Sequence, residues 1–163
     1  PFFIKRRNSA YGLDSDSSYI LDVERFEDLI EQGNQAEEIS TKIEYYQSAL
    51  NLYAGDFLSD ALYNDWVRKE RVRLRNLFLN TADKLAEYYY KQGEFQDCID
   101  QCHQILTVDD CWENAYYYQM KSYNQLNNRS MVIKVYEKCE QILTDKLDLA
   151  PPGELQNLYQ TIT

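Results

Sequence analysis

Glycine occurs five times and proline three times in 163 residues, too few breakers for the many tight turns of a β-sandwich or barrel. Histidine occurs once, at His103, and the four cysteines, Cys98, Cys102, Cys111 and Cys139, include no Cys-x-x-Cys pair. No tight zinc signature can be written from that set, so the thiols are expected to be reduced, metal-free and used as small apolar packing groups. No Gly-rich phosphate loop is present, and His103 has no recognisable nucleophile beside it, so neither a cofactor nor a catalytic residue is expected and the chain reads as a non-enzyme. No apolar run approaches the length that spans a bilayer, and the N-terminus lacks a secretory pattern, which points to the cytoplasm. Cations are outnumbered, 17 Lys and Arg against 27 Asp and Glu, for a formal net charge of -10. That balance repels polyanions and anionic membranes and argues against this chain itself holding DNA or RNA.

What remains is abundant material for one helical core. Hydrophobic residues make up 44% of the chain and tyrosine alone appears 15 times, which excludes disorder, and the length suits a single domain. The first 21 residues differ in kind from the rest. Phe2-Phe3-Ile4, a basic turn at Lys5-Arg6-Arg7, and Ala10-Tyr11-Gly12-Leu13 read as a short β-hairpin, with Asp14 to Ser18 as a polar linker. The chain opens on Pro1 directly in that strand-like run, and further sequence is expected to precede it. From Asp22 the pattern turns helical, with Val23, Phe26, Leu29 and Ile30 on one face. A second helix is predicted from about Ser40 to a stop at Gly55. A third, long helix begins near Trp66 and presents Val67, Leu74, Leu77, Phe78, Thr81 and Leu85 to the core.

Sliding the C-terminal half against itself by 34 residues aligns Tyr89 with Tyr123, Cys98 with Val132, Ile99 with Ile133, Cys102 with Tyr136 and Ile105 with Cys139. The turn residue Gly93 falls on Asn127. That period belongs to the tetratricopeptide repeat, an antiparallel helix pair that buries its apolar face only by stacking on neighbours. The copies depart from the usual pattern at Asp110, where proline is common, and at Gln119, which replaces Leu85 of the first copy. A third copy is expected over the helices of Phe26 and Ile43, and a closing helix from Pro152 to Ile162 would cover the end of the stack. The fold class predicted is all-α, a right-handed tetratricopeptide-like stack of about seven antiparallel helices.

The run Ala49-Leu50-Asn51-Leu52-Tyr53-Ala54-Gly55-Asp56-Phe57-Leu58, then Asp65-Trp66-Val67 and Glu70-Arg71-Val72-Arg73-Leu74-Arg75, resembles the bacterial transcriptional activation domain. In antibiotic regulatory proteins this domain follows a winged-helix DNA reader. The resemblance runs from about Asp22 to Ile162 and makes Gly55, Asp56, Phe57, Trp66, Glu70 and Arg71 its structural motif. It implies that residues 22–163 form the activation domain and that residues 1–21 are the last wing and linker of an upstream winged helix. It also implies that DNA is read only through that missing part. A regulatory, protein-binding role follows, toward the protein's own DNA-binding domain, the transcription machinery or a second copy. The alternative is a general tetratricopeptide scaffold for a peptide or protein partner in signalling.

Two sets of side chains are candidates for partner contact. Arg68, Arg71 and Arg75 form a stripe at i, i+3 and i+7 on the third helix, suited to an acidic surface or to ordinary ion pairs within this acidic chain. Of the triplets Tyr88-Tyr89-Tyr90 and Tyr116-Tyr117-Tyr118, Tyr89 and Tyr116 are expected to pack inside. Tyr88 and Tyr117 are left as candidates for a groove or for the surface. Glu70 falls within or at the edge of the third helix's buried arc, a costly place for a lone carboxylate, and is expected to be paired by a cation or by backbone donors of the loop from Gly55 to Asp60.

Overall fold

The computed structural model describes residues 4–7, 10–13, 22–53, 55 and 65–162, without the side chains of 4–7, 10–13, 65 and 66. The backbone of Ile4–Arg7 (β1) and Ala10–Leu13 (β2) runs as an antiparallel pair, but the architecture rests on the helices alone. Among the described residues these are α1 (Asp22–Gln35), α2 (Ile39–Leu50), α3 (Asp65–Gln92), α4 (Phe95–Val108), α5 (Glu113–Gln125), α6 (Arg129–Leu147) and α7 (Gly153–Ile162). The expected linker and the loop residues Asp56 and Phe57 lie outside the described set, as does the side chain of Trp66.

Consecutive helices pack against each other, and ring contacts give the direction. Phe26 meets Tyr53, while Gly33 faces Tyr46, so α1 and α2 run in opposite senses. Tyr46 stacks on Tyr88 and Tyr53 on Phe78, which sets α2 antiparallel to α3. The predicted stop at Gly55 comes early: α2 ends at Leu50, and Leu52 and Tyr53 donate to the carbonyls of Ala49 and Leu50 in tight turns. Tyr53 leaves the helix because its ring is held between Phe26 and Phe78.

The repeat read from the sequence is visible in the turns. Gly93 has φ 82° and Asn127 φ 55°. At each, two consecutive amides reach back over the helix end: Gly93 N to Tyr90 O and Glu94 N to Tyr89 O, then Asn127 N to Asn124 O and Asn128 N to Tyr123 O. This is the left-handed helix stop that glycine, and next asparagine, adopts most cheaply. Asn128 then caps α6 by accepting from Met131 N.

The core runs through the whole stack. Phe26, Leu29, Ile30, Tyr46, Leu74, Phe78, Leu85, Cys98, Cys102 and Ile105 are buried in one cluster, and Tyr116, Met120, Val132, Tyr136, Cys139, Leu143 and Leu155 in the next, with Leu106 packed against both. Thr81 is tolerated among them because its hydroxyl donates to Leu77 O at 2.8 Å. α7 closes the end as expected: Leu155 is buried and Tyr159 stacks flat on Tyr136, centroids 4.1 Å apart. Beyond the sequential pairs, α3 touches α5 and α5 touches α7, so α3, α5 and α7 share one side of the stack. No helix among the described residues is long and apolar enough to cross a membrane.

Candidate partner-binding face

The contact between α3 and α5 is built from side chains at helical spacing. Asp83, Glu87 and Tyr90, at i, i+4 and i+7, share one flank of α3. Asn114, Tyr118, Lys121 and Gln125 do the same on α5. Asp83 accepts from Trp112 Nε1 at 3.0 Å and from Asn114 Nδ2 at 2.7 Å, which pins the start of α5 to α3. Further along, the Lys121 ammonium lies 4.3 Å from the Tyr90 ring centroid, 5.0 Å from Tyr117 and 5.8 Å from Tyr118. Tyr90 also meets Phe95 and Tyr118 at 5.6 and 5.8 Å, and Tyr117 and Tyr118 pack edge to face. A cation held over several rings fixes their orientation, each exposed contact contributing about 0.5–1 kcal/mol. Burial, with Glu87 and Asp83 nearby, raises the Tyr118 hydroxyl well above its usual range. The face therefore offers half-buried rings, phenolic hydroxyls and one ammonium, a combination that gives contact area at low entropic cost together with hydrogen-bonding tips.

The structure sorts the residues picked from the sequence. Tyr117 belongs to this face, while Tyr88 is turned toward α2 onto Tyr46 and carries Lys91 over its ring at 5.9 Å. Tyr89 and Tyr116 are buried; Tyr89 Oη accepts from Gln47 Nε2, and Tyr116 Oη donates to Asp110 O at 2.8 Å. The three arginines are not placed alike. Arg68 is exposed and Arg71 half-exposed, whereas Arg75 reaches across to donate to Val108 O at the end of α4. Glu70 is not in the core: its side chain is 30% exposed and is gripped by Arg73, through Nε at 3.0 Å and Nη2 at 2.5 Å. Arg73 bridges on to Glu27 of α1. Its guanidinium, by hydrogen bonding first and then by charge, lowers the Glu70 carboxyl below the ordinary range. Gly55 has φ 135°, backbone that suits glycine.

Asp83, Glu87 and Lys121 were not picked out from the sequence, although the 34-residue period carries the signal. It places Glu87 and Lys121 at equivalent positions of successive repeats.

Cys98, Cys102 and Cys139 are buried, Cys111 is half-buried, and all four are free. A hydrogen bond with Cys102 lowers the Cys98 thiol and drives Cys102 well up, and burial pushes Cys139 up to about 12. Asp109, Asp110 and Cys111 bring ligand-type atoms within 4.8 Å of one another, but the turn explains itself. Asp109 accepts from Cys111 N at 3.0 Å, and Lys146 Nζ supplies the cation for Asp110 at 2.6 Å. The lone imidazole, His103, is exposed on α4.

Comparison with known proteins places this geometry. The fold is shared with Mycobacterium tuberculosis EmbR, in a structure with a low affinity phosphopeptide, at a TM-score of 0.73, 18% identity, and 98% coverage of this chain against 43% of that one. It is shared with the Hsp90 co-chaperone Cns1 from Saccharomyces cerevisiae, at a TM-score of 0.63, 17% identity, and 86% against 39% coverage. The Arabidopsis OM64 TPR domain matches at a TM-score of 0.59 and 12% identity, with 86% of this chain and 96% of that one covered. The chain thus spans about two-fifths of the length of the first two. No curated protein matches it. The family model of the bacterial transcriptional activator domain matches residues 21–163, the whole helical body, and the chain belongs to that family.

Proposed function

We propose that this chain is the non-catalytic regulatory and protein-interaction domain of a cytoplasmic bacterial transcription regulator whose DNA reading is done by a winged helix upstream of Pro1. The observation that carries this reading is the aromatic face of α3 and α5, with Lys121 held over Tyr90, Tyr117 and Tyr118, on a family member whose charge of -10 keeps it from gripping DNA by itself. Residues 1–21 are read as the last wing and linker of the upstream domain, and the partner as that domain, the transcription machinery or a second copy. Arg68 and Arg71 remain candidates for a second contact. The likeness to EmbR, Cns1 and the OM64 TPR domain is one of fold and supports protein binding in general.

The test uses the full-length regulator in a reporter strain. Lys121→Glu combined with Tyr117→Ala is expected to abolish activation while operator binding in gel shifts stays near wild type and the helical fold is kept, the melting temperature falling only as far as the lost ring contacts require. Full activation by that double variant would overturn the assignment of the face.

A further inference from the structure

A second surface shares no lining residue with the α3 and α5 face. Where the start of α2 passes the end of α3 and the start of α4, a cleft of about 810 Å³ opens, lined by Glu38, Ile39, Ser40, Ile43, Glu44, Tyr89, Gln92, Glu94 and Asp97. Its apolar part is formed by Ile39, 37% exposed and so already in water, together with the half-buried Ile43 and the ring of Tyr89. Four carboxylates surround it and no lysine or arginine lines it. Glu38 sits at the N-cap of α2 and makes no cap hydrogen bond through its side chain, so its own helix acts on it only through the dipole. Among the described residues none of Glu38, Glu44, Glu94 and Asp97 is in a salt bridge, while Lys91 nearby is taken by Glu87.

We infer that this cleft docks a lysine- and arginine-bearing segment of a partner protein that carries an aliphatic anchor. The isoleucines exclude a purely ionic contact, because exposed β-branched side chains gain only when an apolar group covers them. The four carboxylates, none in a salt bridge among the described residues, disfavour an acidic or neutral occupant, since like charges across an interface repel and a carboxylate covered without a cation loses hydration. An extended or helical basic segment satisfies both demands, with its cations reaching the rim and one leucine-sized side chain over Ile39 and Ile43.

The test is fluorescence anisotropy on the 163-residue chain with a labelled short peptide of lysine, arginine and leucine. Saturable binding is expected, weakened about tenfold by the triple variant Glu38→Lys, Glu94→Lys, Asp97→Lys, in line with three exposed ion pairs of ~0.5 kcal/mol each. Ile39→Ser is expected to weaken it as well. The control reverses the same number of exposed carboxylates on α6, Glu137→Lys, Glu140→Lys and Asp145→Lys, and should leave affinity within about twofold. Should the cleft triple fail to keep its helical circular dichroism, the milder Glu38→Gln, Glu94→Gln, Asp97→Gln set gives the same ordering. Equal weakening by cleft and α6 reversals would reduce the binding to bulk charge and overturn the inference. So would equal affinity for a leucine-free peptide, or for one of glutamate and leucine. Self-association that competes with the peptide and is lost in the cleft variants would assign the cleft to a second copy instead and overturn it too.

Discussion

A Cβ added at Gly33 would meet the Tyr46 ring at 2.5 and 2.7 Å, and that ring has no direction in which to retreat. Its hydroxyl donates to Asn34 Oδ1 at 2.8 Å, where Lys84 Nζ also arrives at 3.1 Å, and its face stacks on Tyr88. Alanine is intrinsically the better helix former by about 1 kcal/mol, but overpacking of a fixed core costs about 1–3 kcal/mol, so the clash wins. Gly33→Ala is therefore expected to lower the urea midpoint of unfolding, and an unchanged or raised midpoint would show that the ring can move. Nothing in the sequence marks this glycine apart from a helix end. The requirement comes from a tyrosine on another helix, a contact between residues whose register only packing sets.

The charged residues of α3 show how one element divides its work. Arg75 brings a cation to the last turn of α4, where the helix dipole and an otherwise unpaired carbonyl favour it. Arg75→Ala should lower stability by about 1–2 kcal/mol, Arg68→Ala by less than about 0.5, and Glu70→Ala by less than about 1 because its pair with Arg73 is partly in water. Thermal melts of the three variants check that order; equal losses at Arg68 and Arg75 would contradict it. The Glu70 contribution also has a sign with pH. Its folded carboxyl titrates below the unfolded value of about 4.3, so the pair stabilises above that value and is lost as pH falls through the lower folded one. The spacing at 68, 71 and 75 was plain in the sequence, yet a helical wheel cannot say that position 75 lies beside the end of α4 or that Arg73, off the stripe, holds two carboxylates.

For the molecule as a whole, charge decides the partner class. With a formal net charge of -10, which repels a polyanion at long range, the 163-residue chain is expected to give no sequence-selective shift of duplex DNA at moderate salt. A tight, selective complex formed by this piece alone would refute the division of labour proposed here.

The sequence by itself determined the helical class, the 34-residue period, the turns at Gly93 and Asn127, the closing helix and the buried thiols, because these depend on local backbone preference and on which side chains avoid water. The tertiary structure alone decided where α2 stops, which tyrosines share a face, that Arg75 serves α4, that Glu70 stands at the rim and that an apolar floor meets four carboxylates in one cleft. Each of these joins residues distant in sequence, and their relative placement is fixed only when helix packs on helix.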